Sequence, residues 1–312
     1  MKITTSLPEI KNEKGHAIPI GLTIGNFDGV HAGHRQLLEK IRVECEKNDL
    51  SFVVVTFIPH PQKILQPEKE RFLLNSYEKR RDLLAELGVN YLVELKFTRD
   101  FSTLPPETFM KNHLFNYEGL RNFYLGYDFA FGANKQGGHD LATEICKPRG
   151  VKVEIQPKFE LSGEVVSSTS VRELLLQGKV DHAAKYLGRT FHLEGVVIKG
   201  EGRGKKIGFP TANIQVSPDL IVPQNGVYVT RTRYQNMTYQ SVTNIGHNPT
   251  FKEGHQLHIE TNIFDFDTDI YGEKLEIEFI RKLRDERKFP TVNDLIDQIR
   301  SDVETSRQVL KA

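Results

Sequence analysis

Short apolar runs alternate with stretches of helical periodicity over residues 20–155, and this alternation predicts a parallel sheet with crossover helices. The predicted strands cover residues 18–24, 52–57, 91–95, 122–125 and 151–155. Helices are predicted over residues 35–47 and 77–87, and another begins at Pro105-Pro106, since proline is tolerated in a first turn. The pattern indicates an open α/β sheet, which binds ligands at the carboxyl ends of its strands.

The pattern changes near residue 188. Residues 191–279 contain many short β-rich runs broken by Gly, Pro and Asn, which predicts an antiparallel sheet or a small barrel. A final helix is predicted after Pro290-Thr291, with an apolar stripe that packs on the barrel. The stripe consists of Val292, Leu295, Ile296, Ile299 and Val303. We expect the domain boundary at residues 187–190, which gives domains 1–187 and 188–312.

Length and composition agree with two globular domains. The chain has 312 residues, which exceeds the usual size of one hydrophobic core. Hydrophobic residues make up 38% of the chain and charged residues 27%, which excludes a largely disordered protein. The 42 Lys and Arg balance 41 Asp and Glu to a formal net charge of +1, so no basic field indicates a nucleic-acid partner.

Cysteine usage and hydropathy predict where the protein works. Cys45 and Cys146 are too few for a disulfide framework. The first ten residues lack the apolar segment of a signal peptide, and no apolar run reaches the roughly 18 residues of a membrane span. We therefore expect a cytosolic protein without membrane contact. Its expected partners are small molecules, and its expected state is a monomer or a weak homo-oligomer.

The first candidate site is the glycine-rich turn 25–34, which lies between a predicted strand and a predicted helix. Gly25, Gly29 and Gly33 allow backbone N–H groups to approach an anion, and the start of the helix favours phosphate. His31 and His34 could donate hydrogen bonds to a phosphoryl group in a transition state. A metal site is the weaker reading, because zinc takes three or four protein ligands and no other Cys or His cluster lies nearby in sequence.

Three further segments of the first domain are candidates for ligand contacts. Hydroxyl residues and an arginine in residues 167–172 could bind phosphates. Taken alone, the segment fits an ordinary Ser/Thr helix cap better, and the glycine-rich turn 25–34 strengthens the phosphate-binding interpretation. Aromatic residues in the segment 126–132 could stack on a flat ring or belong to the core. Residues 56–61 resemble another loop at the ligand-binding edge.

The second domain carries its own candidate site in the Gly-rich, basic stretch 200–213. Its glycines could wrap phosphates, Arg203 adds charge, and Thr211 and Asn213 offer oxygens suited to magnesium. A solvated loop is the alternative. Glu260 could accept a proton from an alcohol or be an exposed strand residue, and the spacing leaves open whether it faces Thr211.

Nine motifs in register carry a resemblance to a known family. The first-domain motifs are GNFDGVHAGH, TFIPHP, GYDFAFG and VSSTSVR; the second-domain motifs are GEGRGKKIGFPTANI, NGVYV, NIGHNPTF, ETNIFDFDTDIYG and LRDERKF. The chain resembles the bacterial bifunctional riboflavin kinases/FMN adenylyltransferases. The resemblance implies a Rossmann-like nucleotidyltransferase domain, followed by a small antiparallel β-barrel riboflavin kinase domain with a terminal helix.

In the first domain, the resemblance implies that His31 and His34 contact the ATP phosphates and stabilise adenylyl transfer. It also implies that the pyrophosphate is held by Ser168, Thr169 and Arg172. The implied nucleotide site comprises Gly25, Phe27, Asp28, Gly29, His31, His34, Asp128, Ser168, Thr169 and Arg172. The implied flavin-binding residues are Phe57, Phe129, Phe131 and Arg284.

In the second domain, the resemblance implies that Thr211 and Asn213 bind Mg²⁺ and ATP phosphate, and that Glu260 is the general base for the flavin 5′-hydroxyl. The implied nucleotide-binding residues are Gly202, Arg203, Gly204, Lys205, Thr211 and Asn213. This set fits phosphoryl transfer, in which positioning and charge neutralisation contribute most of the catalysis.

The expected function is ATP-dependent phosphorylation of riboflavin to FMN, followed by adenylylation of FMN to FAD with release of pyrophosphate. Two alternatives stay open. Only one of the modules could be active, or the chain could be a flavin-binding regulator that has lost catalysis. The presence of the candidate catalytic residues and the balanced charge disfavour the regulator.

Overall fold

The computed structural model describes residues 1–200, 202–247 and 257–311, without the side chain of residue 247. Its contacts divide the chain into two compact units. The first unit contains Met1–Glu70 and Ser76–Ser167, and the second contains Arg71–Asn75 and the chain from Ser168 onward. The two helices over residues 168–187 thus pack with the second unit, whereas the sequence pattern assigned them to the first domain. The functional boundary at residues 187–190 stays a prediction.

The first unit is built on a parallel sheet. Its strands are β1 (Lys2–Thr4), β2 (Ile20–Ile24), β3 (Ser51–Ile58), β4 (Tyr91–Lys96), β5 (Leu120–Gly126) and β6 (Lys152–Gln156), with a small antiparallel pair of β7 (Glu160–Leu161) and β8 (Glu164–Val165). The six strands lie in the order β1-β4-β3-β2-β5-β6, and all of their pairings are parallel. The predicted parallel sheet is confirmed; β1 was missed because it has three residues and little burial.

Hydrophobic cores cover both faces of this sheet. The helices are α1 (Ala32–Lys47), α2 (Pro61–Leu65), α3 (Tyr77–Glu86), α4 (Arg99–Ser102), α5 (Pro106–Phe109), which continues as a π-helix (Met110–Leu114), and α6 (His139–Cys146). Val53 and Val55 pack into one cluster, while Phe52 and Val54 pack into the other. Every residue of β2 is buried, as expected for a central strand with helices on both faces.

The strand order reverses beside β2. The chain continues from β2 to β3 and β4 on one side, while β5 and β6 lie on the other side. Ligands of open α/β sheets bind at such a reversal, outside the carboxyl ends of the strands. The turn 25–31 follows β2 and the segment 127–132 follows β5, so two of the sequence candidates lie at this edge.

The second unit contains a closed antiparallel barrel. Its strands are β9 (Phe191–Ile198), β10 (Ala212–Val216), β11 (Gly226–Tyr234), β12 (Met237–His247), β13 (Leu257–Ile263) and β14 (Lys274–Arg284), and its helices are α7 (Ser168–Leu176), α8 (Val180–Leu187), α9 (Arg203–Lys206) and α10 (Val292–Lys311). The barrel order is β10-β13-β12-β11-β14-β9, which confirms the predicted barrel. Across the described ranges of both units, none of the helices has the length and apolar character needed to cross a membrane.

The terminal helix α10 packs on β11 and β12, as its apolar stripe predicted. Val303 lies against a buried cluster of Val227, Val242 and Phe264. Val292 is 61% exposed, so its assignment to the buried stripe was wrong. It is the first residue of the helix, where the stripe has not yet reached the barrel surface.

A chain of buried hydroxyl groups runs through the barrel interior. Thr232 contacts Ser241 at 2.9 Å, and Ser241 contacts Thr230 at 2.8 Å. Thr230 contacts Thr243 at 2.8 Å, and Thr243 contacts Thr261 at 2.9 Å. All five side chains have 0% exposure. Since buried polar groups are stable only when they are hydrogen-bonded, each hydroxyl depends on its neighbours.

We expect Thr243→Val to destabilise the second unit by about 1–3 kcal/mol, because it removes the hydroxyl that links Thr230 to Thr261 while preserving the side-chain shape. The measurement is the free energy of unfolding from urea denaturation. Thr238→Val, at an exposed position of the same strand, is the matched control. Equal effects of the two substitutions would contradict the proposed importance of the buried chain.

Candidate functional sites

The turn between β2 and α1 has an unusual backbone. Phe27, Gly29 and Val30 have φ angles of 47°, 81° and 38°, all in the left-handed region. Residues with a side chain rarely adopt this region, and such backbone strain is concentrated at functional sites. Phe27 and Val30 are nonetheless almost fully buried in the cluster beneath the turn. Tertiary packing therefore holds the turn in a conformation that its sequence does not favour.

His31 and His34 are brought together at the end of this turn. Their rings stack with centroids 3.6 Å apart and planes inclined by 19°. His31 caps α1, and its Nδ1 accepts the backbone N–H of His34 at 3.3 Å. Because Nδ1 is an acceptor, neutral His31 carries its proton on Nε2 and can donate from that atom. The pair thus sits at the positive end of a 16-residue helix, where anions are favoured.

Close packing explains two glycines of the turn. A Cβ atom on Gly25 would lie 3.1 Å from the Phe27 ring. One on Gly33 would lie 3.2 Å from Phe159 Cβ and 3.3 Å from the His31 ring. Asp28, in the same turn, is buried with 4% exposure. The histidine arrangement therefore requires small residues around it.

The aromatic residues implied in flavin binding belong to one cluster beside the edge. Phe131 is 7% exposed, stacks on Phe129 at 5.1 Å and contacts Phe109 at 5.9 Å. Phe57 makes an edge contact with Phe101 at 5.8 Å. Phe131 is thus a core residue, one of the two readings that the sequence left open. Asp128 is exposed in the same segment. Flavin contact by these phenylalanines stays a prediction.

Ser168, Thr169 and Arg172 lie at the start of α7, in the second unit. Arg172 Nε donates to the carbonyl oxygen of Phe72 at 2.6 Å. This bond anchors the segment Arg71–Asn75, which belongs to the same unit. Arg172 therefore has a structural partner, and its role toward pyrophosphate stays a prediction.

A row of polar residues crosses three strands of the barrel. Asn213 on β10 pairs with Glu260 on β13, and Glu260 pairs with Asn244 on β12. Directly opposed residues of antiparallel strands project from the same face of the sheet. The carboxylate thus lies between two amides on the face opposite the buried hydroxyl chain. This register answers what the spacing left open, since Glu260 faces the predicted Thr211/Asn213 region.

The glycine-rich stretch folds back onto the same region. A Cβ atom on Gly200 would collide with the Asn213 amide, and one on Gly204 would lie 3.3 Å from Thr211 Oγ1. Gly202 has a φ of 66° and precedes the short helix α9. Arg203 and Lys205 of this helix are exposed. Residues 201 and 248–256 lie outside the described ranges, and the second half of the NIGHNPTF motif, residues 248–251, falls there.

The donor types at this site fit a hard cation. The Thr211 hydroxyl, the Asn213 amide oxygen and the Glu260 carboxylate are oxygen ligands of the kind that Mg²⁺ prefers.

A separate group of possible metal ligands lies on β9 and β14. Ligand atoms of His192, Glu194 and Glu276 lie within 4.8 Å of one another. Lys274 Nζ lies 2.8 Å from a Glu194 oxygen, so that carboxylate already has a cationic partner.

The sequence reasoning missed Glu286. Its carboxylate accepts from Asn244 at 3.4 Å and from Asn225 at 3.5 Å. It also occupies the space that a side chain at position 246 would fill, which explains Gly246. Glu286 therefore orients the amide next to Glu260. Within the charged run LRDERKF, no pattern distinguishes it from its neighbours.

Arg284 is engaged inside the second unit. Its guanidinium binds the Asp302 carboxylate of α10, with Nη2 at 2.7 Å and Nε at 3.1 Å from the carboxylate oxygens. Its charge also lies 5.8 Å from the Phe289 ring. The Asp302 side chain is 8% exposed. Arg284 thus ties the barrel to the terminal helix, and its flavin-binding role stays a prediction.

Comparison with family models divides the chain into two known parts. Residues 13–170 match the model described as FAD synthetase, and residues 187–310 match the model described as riboflavin kinase. The two histidines lie in the first match. The Asn213–Glu260–Asn244 row lies in the second match.

Similar proteins match nearly the whole chain. A bifunctional riboflavin kinase/FMN adenylyltransferase of Listeria monocytogenes is 34% identical, and the alignment covers 92% of this chain and 91% of that protein. A protein of the same name from Bacillus subtilis is 32% identical, and the alignment covers 94% of this chain and 92% of that protein. The Escherichia coli protein of this name is 33% identical, and the alignment covers 92% of this chain and 91% of that protein.

A solved structure shares the fold. It is the crystal structure of a protein named as a macrolide-efflux protein from Streptococcus pneumoniae. The TM-score is 0.85 at 31% identity, and 98% of each chain is covered. The name describes the Streptococcus protein, while the family models and the relatives above agree on flavin chemistry.

The partly buried ion pair between Arg284 and Asp302 gives a stability prediction. We expect Asp302→Ala to lower the free energy of unfolding of the second unit by about 2–3 kcal/mol, because the guanidinium loses its carboxylate. Asp297→Ala is the matched control on α10, since its pair with Arg300 is exposed and contributes little. The check is urea denaturation followed by circular dichroism, and a loss no larger than that of Asp297→Ala would refute the prediction.

Proposed function

This chain belongs to the family of bifunctional riboflavin kinases/FMN adenylyltransferases, and we propose that its two reactions occur at the two sites described above. The protein is an enzyme that phosphorylates riboflavin to FMN with ATP and adenylylates FMN to FAD. Adenylyl transfer is assigned to the His31/His34 turn. Phosphorylation is assigned to the polar row of the barrel. The corresponding functional modules span residues 1–187 and 188–312.

The register of Glu260 between Asn213 and Asn244 supports the kinase assignment most directly. In this proposal the ribityl 5′-hydroxyl oxygen attacks the γ-phosphorus of ATP while the Glu260 carboxylate accepts its proton. The bond between the γ-phosphorus and the β,γ-bridging oxygen breaks, and ADP leaves. Thr211 and Asn213 would hold Mg²⁺, which supplies charge neutralisation at the phosphates when it is bound. The glycine-rich stretch beside them would position the phosphates.

The His31/His34 pair supports adenylyl transfer by stabilising charge. The FMN phosphate attacks the α-phosphorus of ATP, the bond to the bridging oxygen breaks, and pyrophosphate leaves. The attacking phosphate is already an anion, so the step needs hydrogen-bond donors and no base. In this proposal His31 Nε2–H and the N–H groups of Ala32 and Gly33 are such donors, since the His34 N–H is taken by the His31 cap. Ser168, Thr169 and Arg172 would hold the leaving pyrophosphate.

The cysteines favour a reducing compartment. Cys45 and Cys146 are both free thiols and both buried. Burial raises the pKa of Cys45 to about 12 and that of Cys146 to about 11, so both stay protonated at neutral pH. We propose that the enzyme works in the cytosol, as a monomer or a weak homo-oligomer, with magnesium in both reactions.

A chromatographic time course tests the function. Purified protein is incubated with ATP, magnesium and either riboflavin or FMN. We expect riboflavin to pass through FMN to FAD, and FMN to give FAD and pyrophosphate. Accumulation of FMN alone would show an inactive adenylyltransferase, while FAD from supplied FMN alone would show an inactive kinase. Tight flavin binding without any product would favour the regulator.

We expect the double variant His31→Ala, His34→Ala to abolish FAD formation, since it removes the donors beside the phosphates, and to leave FMN formation within a few-fold. The effect of such donors is about 10²–10³-fold for each one removed. His16→Ala, an exposed histidine of the first unit, is the control. Loss of both activities in a folded protein would show that the two reactions do not use separate sites.

We expect Glu260→Gln to lower the kcat of riboflavin phosphorylation by about 10²–10⁴-fold, because the amide cannot accept the hydroxyl proton. FAD formation from supplied FMN should be retained. Glu273→Gln, at an exposed position before β14, controls for the loss of a carboxylate. Disappearance of the FMN-to-FAD reaction in the Glu260 variant would contradict the assignment of this residue.

A further inference from the structure

Arg80 is a charged residue in the interior of the first unit. It lies on α3, and its exposure is 2%. Burial disfavours its charge and lowers its pKa, although nearby Glu94 and Asp28 oppose this effect. Arginine remains protonated in proteins, and a buried charge is tolerated only where partners compensate it. The partners of Arg80 therefore indicate what the residue does.

Two of those partners are backbone carbonyls at the ligand-binding edge. Nη1 of Arg80 donates to the Asn26 oxygen at 3.0 Å, and Nη2 donates to the Phe57 oxygen at 3.4 Å. Asn26 belongs to the left-handed turn that leads into the histidine pair. Phe57 lies near the carboxyl end of β3, the strand next to β2. One guanidinium thus joins the ends of two neighbouring strands.

Further side chains surround the guanidinium. Its charge lies 5.0 Å from the Tyr77 ring, and the Tyr77 hydroxyl accepts the backbone N–H of His60 at 2.8 Å. Glu94 Oε1 lies 3.9 Å from Arg80 Nη2, and the Glu94 side chain is 9% exposed. Arg81 binds the same carboxylate with two bonds of 2.9 and 2.7 Å. The first turn of α3 therefore braces the loops after both β2 and β3.

We propose that Arg80 is a positioning residue for adenylyl transfer, which acts by clamping the Asn26 and Phe57 carbonyls and so fixing the turn that carries His31. The inference rests on the proposed function of that turn. The left-handed residues beside Asn26 make the turn strained, so contacts from outside the turn must stabilise its conformation. The planar guanidinium of arginine can donate to two carbonyls at once, and the ammonium group of lysine cannot reproduce this geometry. Misplacement by about 1 Å costs catalysis about 10²-fold.

The experiment compares three variants of the full chain. In Arg80→Met we expect the kcat of FAD formation from FMN to fall by about 10²-fold, while the KM for ATP changes by less than about threefold. Arg80→Lys keeps the positive charge but not the planar guanidinium, and we expect its kcat to lie between those of the wild type and Arg80→Met. Arg81→Met is the matched control, since it breaks a shorter ion pair on the same helix without touching either loop, and we expect it to retain the wild-type kcat.

A purely structural role is separated by two further readouts. Riboflavin phosphorylation and the unfolding temperature report whether each variant is folded, and Arg80→Lys carries the test if Arg80→Met does not fold. When Arg80→Met is added to the His31→Ala variant, we expect the kcat of FAD formation to fall by less than about threefold further, because both substitutions act on one turn. Fully additive losses would overturn the proposal.

The remaining outcomes are equally decisive. A normal kcat in Arg80→Met, or an equal loss in Arg81→Met, would overturn the inference while leaving the proposed function intact, provided that the wild type makes FAD and the double variant His31→Ala, His34→Ala does not. A wild type that makes no FAD from FMN would overturn both.

Discussion

The turn between β2 and α1 is the constraint on which the first unit depends. Its left-handed residues Phe27 and Val30 are unfavourable locally, and the buried cluster beneath them stabilises this conformation. Arg80 stabilises the turn further by donating a hydrogen bond to the Asn26 carbonyl. The position of the stacked histidines is therefore a property of the packed domain. A rigid support of this kind suits a reaction whose main demand is donors fixed around phosphates.

The second unit solves the same problem with strand register. Glu260 and Thr261 are sequence neighbours on opposite faces of β13, one in the polar row and one in the buried hydroxyl chain. A slip of one residue would exchange the two faces, burying a carboxylate and exposing the hydroxyl chain. The hydroxyl bonds of the interior thus help to fix the register that sets Asn213 and Asn244 beside Glu260. In both units, distant side chains determine the geometry of the candidate site.

Hydrophobic periodicity was sufficient to predict the parallel sheet, the barrel and the terminal helix, because each pattern reports which face of an element is buried. It was less reliable at the ends of elements. Helix α1 begins at Ala32, before the predicted residue 35, since His31 itself caps it. Val292 fits the apolar stripe but is exposed at the helix start. The helices over residues 168–187 pack with the barrel unit, and periodicity carries no information about which unit a helix joins.

The sequence by itself determined the residue types of both candidate sites, since the glycine-rich turn, the histidine pair and the Thr-Ala-Asn segment are local in the chain. Their partners were decided only by the tertiary structure. Arg80 reaches Asn26 across 54 positions, and Glu286 reaches Asn244 across 42. Arg284 was expected at the flavin and is bound by Asp302 of the terminal helix. Local pattern records burial, whereas contacts between distant residues depend on strand order, barrel closure and packing, which no single segment encodes.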